Sequence, residues 1–209
     1  MIYIMGIDHN TKETGVSVIE FGIDEAAYEQ VEIRYADVPI QIKGSMPLQE
    51  RLFYFCEFIR SNLIPLIAKY RPDYIVRERH NPNGPSSNEL YMLSGILDAI
   101  MFEQGYSFKS GNYKQITPVE WKVITLLKPY HEMKKNTKKE KAAYCQLFKN
   151  LFPQKEIQEA TSSDVVDSFG LAYSMGVRYW AEKDEDFLEA LHEEQARIVK
   201  KDGRFKKWD

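Results

Sequence analysis

The order of apolar segments at the start of the chain most constrains its fold. Residues Ile2 to Asp8 form a nearly continuous apolar segment that ends in a carboxylate, a pattern that predicts a buried strand. After turn-forming residues, Thr14 to Phe21 alternate between apolar and polar types, and Tyr28 to Val38 provide a third candidate strand. Short turns connect these segments, so we expect an antiparallel meander.

Helices and strands alternate in the following part of the chain. Apolar residues recur at helical spacing from Met46 to Tyr70, and Pro65 should kink the end of that helix. Tyr74 to Glu78 predict a fourth strand, Asn88 to Glu103 a helix with a leucine stripe, and Tyr113 to Ile116 a fifth strand.

The remaining segments are predicted to be helices and one polar loop. A helix begins at Pro118, Lys128 to Lys141 form a loop, and a last core helix covers Asp164 to about Trp180. The order of elements predicts an α/β fold with a five-stranded mixed sheet flanked by helices. We expect one domain over residues 1–181 and a charged C-terminal helix or tail over residues 182–209.

Composition narrows the classes of protein that the chain can represent. Apolar residues make up 44% of the 209 residues, enough for a core, yet no apolar run approaches the length of a membrane span. The N-terminal segment lacks the basic start of a signal peptide. Cys56 and Cys145 are far apart and have no metal-ligand spacing, so we expect free thiols in a reducing cytoplasm, of a bacterial or phage-infected cell.

Charge is unevenly distributed along the chain, although the net charge is only −3. Residues 122–149 contain eight lysines and two acids, residues 183–194 contain six acids and one lysine, and residues 197–207 contain six basic residues and one acid. This pattern suits a DNA-facing surface on an acidic protein. Solvated helix faces would give the same pattern, so charge alone leaves both interpretations open.

Four acidic residues stand where a folded α/β protein would bring them together. Asp8 and Glu78 end the first and fourth predicted strands, and parallel strand ends form the mouth where ligands bind. Asp164 and Asp167 share one face in the first turn of the last core helix. Each acid taken singly could instead be a turn residue, an ion-pair partner or a helix cap.

The chemistry of such a cluster points to divalent cations. Carboxylates at close range cannot all stay ionised without a neutralising charge. Oxygen ligands without thiolates or several histidines favour Mg²⁺ or Mn²⁺. Two such ions, about 3.5–4 Å apart, suit hydrolysis of a phosphodiester that leaves a 5′-phosphate.

Three motifs in this order resemble those of the RuvC-type Holliday junction resolvases, which have the RNase H-like fold. They are GIDHNTKETGVSV from Gly6, PDYIVRE from Pro72 and SSDVVDSFGLA from Ser162. The resemblance covers about residues 1–180. Asn10 stands where the family usually has glycine, and valines stand between the last two acids. These departures suggest a divergent member, such as a phage or mobile-element version.

The resemblance implies a Mg²⁺-dependent endonuclease that resolves four-way or other branched DNA as a homodimer, in recombination and repair. Its catalytic and metal-binding residues would be Asp8, Glu78, Asp164 and Asp167. The helix of residues 88–103 would contribute to the dimer, although its leucine stripe could equally pack on its own sheet. Expected DNA-binding residues are Lys122, Lys138, Lys139, Lys141 and His80.

Three alternatives remain open. A flap, an RNA–DNA hybrid or a precursor RNA could be the substrate of the same fold and metals. An actin-like ATPase has a similar first motif but needs a second phosphate loop, which the sequence does not show. A junction-binding module without catalysis would have no use for four clustered carboxylates.

Overall fold

Within the part of the chain that the structure describes, five strands form one mixed sheet. The structure is a computed structural model, and it describes residues 2–10, 14–22, 32–35, 47–80, 87–126, 146 and 163–201. The strands are β1 (Ile2–His9), β2 (Thr14–Phe21), β3 (Glu32–Tyr35), β4 (Tyr74–Glu78) and β5 (Tyr113–Ile116). Their order is β3-β2-β1-β4-β5; β1–β2 and β2–β3 are antiparallel, whereas β1–β4 and β4–β5 are parallel.

Helices flank this sheet, in agreement with the predicted α/β arrangement. They are α1 (Leu48–Phe58), α2 (Ile64–Tyr70), α3 (Ser87–Glu103), α4 (Pro118–Leu126), α5 (Ser163–Lys183), α6 (Glu185–Ala190) and α7 (Glu193–Lys201). No helix in these described ranges is both long and apolar enough to cross a membrane. The predicted loop of residues 128–141 lies outside the described residues.

The predicted helix of residues 46–70 contains a π-helical turn, Ile59–Leu63, between α1 and α2. Pro65 explains the interruption, because proline has no amide hydrogen to donate to the carbonyl one turn earlier. The side-chain amide of Asn62 donates to the carbonyl oxygen of Phe58 at 3.0 Å within this region. At the end of α2, Arg71 adopts a left-handed conformation with φ of 47°.

Alternation along β1 separates the core into two layers. Ile4 faces α4 and α5 and packs in a cluster that includes Trp121 and Phe169. Met5 and Ile7 face α1 and α3 and pack in a second cluster. The side chain of Asp8 follows Ile4 on the α5 side of the strand, so the end of β1 presents its carboxylate to that helix.

The leucine stripe of α3 packs on the sheet of its own chain. Leu93, Leu97 and Ile100 belong to the cluster on the α1 side, and each is at most 2% exposed. Of the two interpretations offered by the sequence, packing within the chain therefore applies to these three side chains. A second copy of the protein would have to contact other residues of α3.

The last two helices pack against the domain. Leu191 and Val199 belong to the core cluster that contains α5, and α7 contacts α4. The side-chain amide of Gln195 is buried and donates to the carbonyl oxygen of Ile124 in α4 at 2.8 Å. Residues 184–201 thus extend the layer of helices on the α5 face of the sheet.

Candidate metal centre

Three of the four predicted metal ligands meet at one point. Asp8, Asp164 and Asp167 each offer a carboxylate oxygen, and these oxygens lie within 4.8 Å of one another. All three residues are buried, with exposed fractions of 7%, 5% and 5%. We call these residues the acidic group. It forms where the end of β1 meets the first two turns of α5.

Two glycines allow α5 to lie close enough to the sheet for this meeting. A Cβ atom at Gly6 would overlap the carbonyl oxygen of Ser168, and one at Gly15 would overlap that of Asp164. Only a residue without a side chain permits such an approach of helix to strand. The glycines of the first motif therefore set the position of the helix that carries two of the three acids.

The donor set fits a hard divalent cation. Burial raises the cost of each negative charge, and repulsion among three nearby carboxylates raises it further. A cation held by the acidic group would offset both costs. Carboxylate oxygens are the ligands that Mg²⁺ and Mn²⁺ prefer, and the group contains neither thiolate nor imidazole.

Glu78 lies beside the acidic group without being one of its members. The parallel register pairs Ile7 with Arg77, so Asp8 and Glu78 are the next residues of β1 and β4. The Glu78 carboxylate accepts a hydrogen bond from the indole Nε1 of Trp121 at 3.2 Å. Its backbone therefore stands where the sequence predicts. That its carboxylate is a metal ligand stays a prediction.

Asn10 and Trp121 contact the predicted ligands, and the sequence assigned neither of them a role in the site. The Asn10 side-chain amide donates to Asp164 Oδ2 at 2.5 Å. Asn10 was visible only as a departure from the glycine that is usual in the first motif. Trp121 is fully buried. Neither pattern identifies a hydrogen bond between residues so distant in sequence.

His80, a predicted DNA-binding residue, packs against a second histidine. Its Nε2 lies 3.1 Å from Nε2 of His9, which is also 2.9 Å from the Ser94 hydroxyl oxygen. Burial and the nearby Arg77 charge lower the pKa of His80 to about 4. The pKa of the fully buried His9 is also well below its usual value, through burial and then the charge of His80. Both rings are therefore neutral at neutral pH.

The predicted DNA-binding lysines are only partly described. Lys122 lies in α4, with its ammonium nitrogen 5.1 Å from the centre of the Trp121 ring. Lys138, Lys139 and Lys141 lie outside the described residues. Their contact with DNA stays a prediction, as does that of Lys122.

On the face of the sheet opposite the acidic group, a buried arginine is paired with an aspartate. The Arg77 guanidinium donates to both carboxylate oxygens of Asp98, at 2.8 and 2.7 Å, and the Tyr113 hydroxyl donates to Asp98 at 2.7 Å. Burial is the largest single influence and lowers the pKa of Arg77, but the hydrogen bond to Asp98 and the electrostatic attraction of Tyr113 and Asp98 together outweigh it, so the pKa is raised. Arg77 donates to the backbone carbonyl oxygen of Glu78 at 3.0 Å.

Solved structures share this fold, although no protein-family model and no curated protein matches the chain. The RuvC structure from Thermus thermophilus has a TM-score of 0.59 at 16% sequence identity, covering 87% of this chain and 96% of its own. T. thermophilus RuvC in complex with a Holliday junction substrate also gives 0.59, at 15% identity over 88% and 96%.

A third structure, the yeast mitochondrial Holliday junction resolvase Ydc2, has a TM-score of 0.54 at 15% identity, covering 98% of this chain and 84% of its own. The similarity extends over most of each chain. It shows that the protein has their fold, as the three sequence motifs predicted.

Proposed function

We propose that the protein is a divalent-cation-dependent endonuclease that cuts four-way or other branched DNA by hydrolysis of phosphodiester bonds. The acidic group carries this proposal, because three buried carboxylates converge at a strand end in a fold shared with RuvC and Ydc2. Buried charges of one sign are costly without a ligand. A cluster of buried carboxylates at the end of a strand is a sound candidate for a functional site.

Mg²⁺ or Mn²⁺, with two ions at each site, is the proposed cofactor. Asp8, Asp164 and Asp167 would hold it, with Glu78 completing the ligands. Bound ions would supply an activated water and neutralise charge at the phosphate. The chain's own contribution is to gather the carboxylates, to exclude bulk water from them through burial, and to fix the backbone that carries them.

The proposed substrate class rests on what the similar structures are. T. thermophilus RuvC was solved with a Holliday junction, and Ydc2 is a Holliday junction resolvase. For this chain we propose phosphate contacts by Lys122, Lys138, Lys139 and Lys141 and a contact near the junction by His80. Lysines suit contacts with the backbone that do not depend on sequence.

A homodimer is the proposed assembly, since cutting two opposing strands of a junction matches two-fold symmetry. On α3, Tyr91, Met92 and Phe102 remain exposed, with exposed fractions of 43%, 47% and 71%. These side chains are available to a second copy, unlike the buried leucine stripe. Light scattering of the purified protein measures the assembly directly.

The decisive experiment compares cleavage of matched synthetic DNA substrates with Mg²⁺. The panel contains a four-way junction, a flap, a Y-form, a linear duplex and an RNA–DNA hybrid. We expect wild-type protein to cut the junction with paired incisions and to cut the linear duplex least. Junction cleavage should disappear in EDTA.

Two variants make the result specific to the acidic group. Asp8→Asn should abolish cleavage while junction binding persists, because it removes a cation ligand and leaves the DNA surface intact. Asp186→Asn changes an exposed acid of α6 and should cleave like wild type. Cleavage by a clean Asp8→Asn preparation would remove Asp8 from the reaction, and preference for the hybrid or flap would reassign the substrate.

A further inference from the structure

Two uncharged donors hold carboxylates at the candidate metal centre. The Asn10 amide donates to Oδ2 of Asp164 at 2.5 Å, and the Trp121 indole donates to Oε2 of Glu78 at 3.2 Å. Each donor occupies one oxygen of its partner. From these contacts we infer that Asn10 and Trp121 are positioning residues, which orient Asp164 and Glu78 for the cation. This inference rests on the proposed function.

Asn10 joins the two segments that build the acidic group. It follows β1 directly and is therefore two residues from Asp8, while its partner Asp164 lies in the first turn of α5. The hydrogen bond spans 154 positions of sequence. It fixes the orientation of the Asp164 carboxylate relative to the end of β1. Without this bond, the two side-chain torsions of Asp164 would be ordered only when the cation binds, at a cost in conformational entropy.

The chemical type of the donor supports a role in metal binding. A lysine or arginine at position 10 would form a stronger, charge-assisted bond to Asp164, but it would neutralise the carboxylate and compete with a cation. A neutral amide orients the carboxylate and leaves its charge in place. Hydrogen bonds of this kind to metal-binding carboxylates set ligand geometry and tune affinity.

Trp121 is held more rigidly than the carboxylate that it contacts. The residue is fully buried, and a Cβ atom at Gly170 would lie 2.5 Å from its ring. The Lys122 ammonium lies over the same ring. Because the indole cannot turn in this packing, its N–H has a fixed direction. Glu78 has a longer, more flexible side chain than aspartate, so a fixed donor limits where its other oxygen can point.

Metal binding by DNA-free protein tests the inference without relying on activity. Mn²⁺ binding is measured from loss of the free-ion electron paramagnetic resonance signal for wild type, Asn10→Ala and Trp121→Phe. We expect each variant to bind Mn²⁺ about tenfold more weakly. Its Mg²⁺ requirement for cleavage should rise by a similar factor, while the rate at saturating Mg²⁺ changes less.

Matched controls remove the same groups elsewhere. Asn112→Ala deletes an amide that donates to the Gly105 carbonyl oxygen in a turn before β5. Trp180→Phe deletes an indole N–H that has no hydrogen-bond partner within the described residues. Both should bind Mn²⁺ like wild type. Unfolding of each variant in EDTA shows whether a change in affinity merely reflects a damaged fold.

The outcomes separate this inference from the proposed function. Unchanged Mn²⁺ affinity in a folded Asn10→Ala variant would overturn the positioning role of Asn10, and the same result for Trp121→Phe would overturn that of Trp121. If Trp121→Phe does not fold, Asn10→Ala decides, because Asn10 is a half-buried residue just beyond a strand. Wild-type protein that neither binds Mn²⁺ nor cuts DNA would instead reject the metal centre itself.

Discussion

The two faces of the sheet both bury charge near the ends of β1 and β4, but they balance it in opposite ways. On the α5 face, the acidic group gathers three carboxylates. On the α3 face, Arg77 meets Asp98 through two hydrogen bonds, with Tyr113 as a third member. Arg77 and its neighbour Glu78 point to opposite sides of β4, Arg77 into the pair with Asp98 and Glu78 to the side of the acidic group.

The difference distinguishes a structural charge from one that needs a ligand. A buried pair of opposite charges needs no further ligand, because each partner compensates for the hydration that the other has lost. Buried charges of one sign repel one another, and a cation that binds between them relieves that repulsion. The contrast therefore predicts that breaking the α3-side pair destabilises the fold, whereas removing a charge from the acidic group impairs function and not stability.

The largest expected effect on stability comes from Asp98→Ala. This change leaves the Arg77 guanidinium buried without its carboxylate, so the free energy of unfolding in EDTA should fall by about 3 kcal/mol. Urea denaturation followed by circular dichroism measures the change. Asp186→Ala, at an exposed position of α6, should have little effect. A loss equal to that of the control would show that the pair does not stabilise the fold.

Gly6→Ala tests how closely α5 must lie to the sheet. The added methyl group would overlap the Ser168 carbonyl oxygen, so α5 must shift, and we expect a loss of about 2 kcal/mol in the free energy of unfolding. The shift would also move Asp164 and Asp167 away from Asp8 and weaken Mn²⁺ binding.

Gly95→Ala in α3 is the matched control for this prediction. A Cβ atom there would have no neighbour within 4 Å, so alanine should stabilise the helix by about 0.5–1 kcal/mol. If both substitutions change stability in the same direction, the close approach at Gly6 does not limit the packing of α5.

Much of this arrangement could be predicted from local sequence patterns. The spacing of apolar residues and the types of flanking residues predict three elements. They are the strand that ends at Asp8, the strand that ends at Glu78 and the helix that begins near Asp164. The structure places all three elements as predicted. Asp8 and Glu78 lie side by side because β1 pairs in parallel with β4, a pairing that the order of elements alone does not fix.

What the sequence could not predict depends on contacts between distant side chains. No pattern shows that Asn10 donates to Asp164, or that Trp121 donates to Glu78. The pairing of Arg77 with Asp98 depends on the rotation of α3 against β4, which periodicity fixes only coarsely. The sequence predicted a kink near Pro65, but not that the backbone would compensate for the missing amide hydrogen with a π-helical turn.

Asp8→Asn should change the free energy of unfolding in the opposite direction to Asp98→Ala. Removing one charge from the acidic group relieves repulsion, so the free energy of unfolding in EDTA should rise by about 2 kcal/mol. Adding Mg²⁺ should stabilise wild type and not the variant, because ligand binding stabilises only a folded state with an intact site. Thermal unfolding with and without Mg²⁺ measures both effects. Destabilisation in EDTA would mean that the acidic group is balanced within the chain.

The smallest expected effect concerns His9 and His80, the two facing histidines on the α3 side of the sheet. Burial and the Arg77 charge lower the folded-state pKa of His80 from its usual 6.5 to about 4. Between these values the unfolded chain binds a proton that the folded chain does not, so the free energy of unfolding should fall as pH is lowered through this window. For half-buried His80 the loss should be only about 1 kcal/mol, because solvent screens part of the charge.

His80→Gln tests this contribution, since glutamine keeps a polar side chain that does not titrate. Urea denaturation at about pH 7 and pH 4 should show a smaller loss of stability for the variant than for wild type. An equal loss would assign the acid sensitivity to other groups. A smaller loss of stability for the variant would show that the α3 face destabilises the fold at low pH, although the charges of Arg77 and Asp98 are paired. The reason is that the Nε2 atoms of His9 and His80 lie 3.1 Å apart, which leaves no room for a proton on each of them.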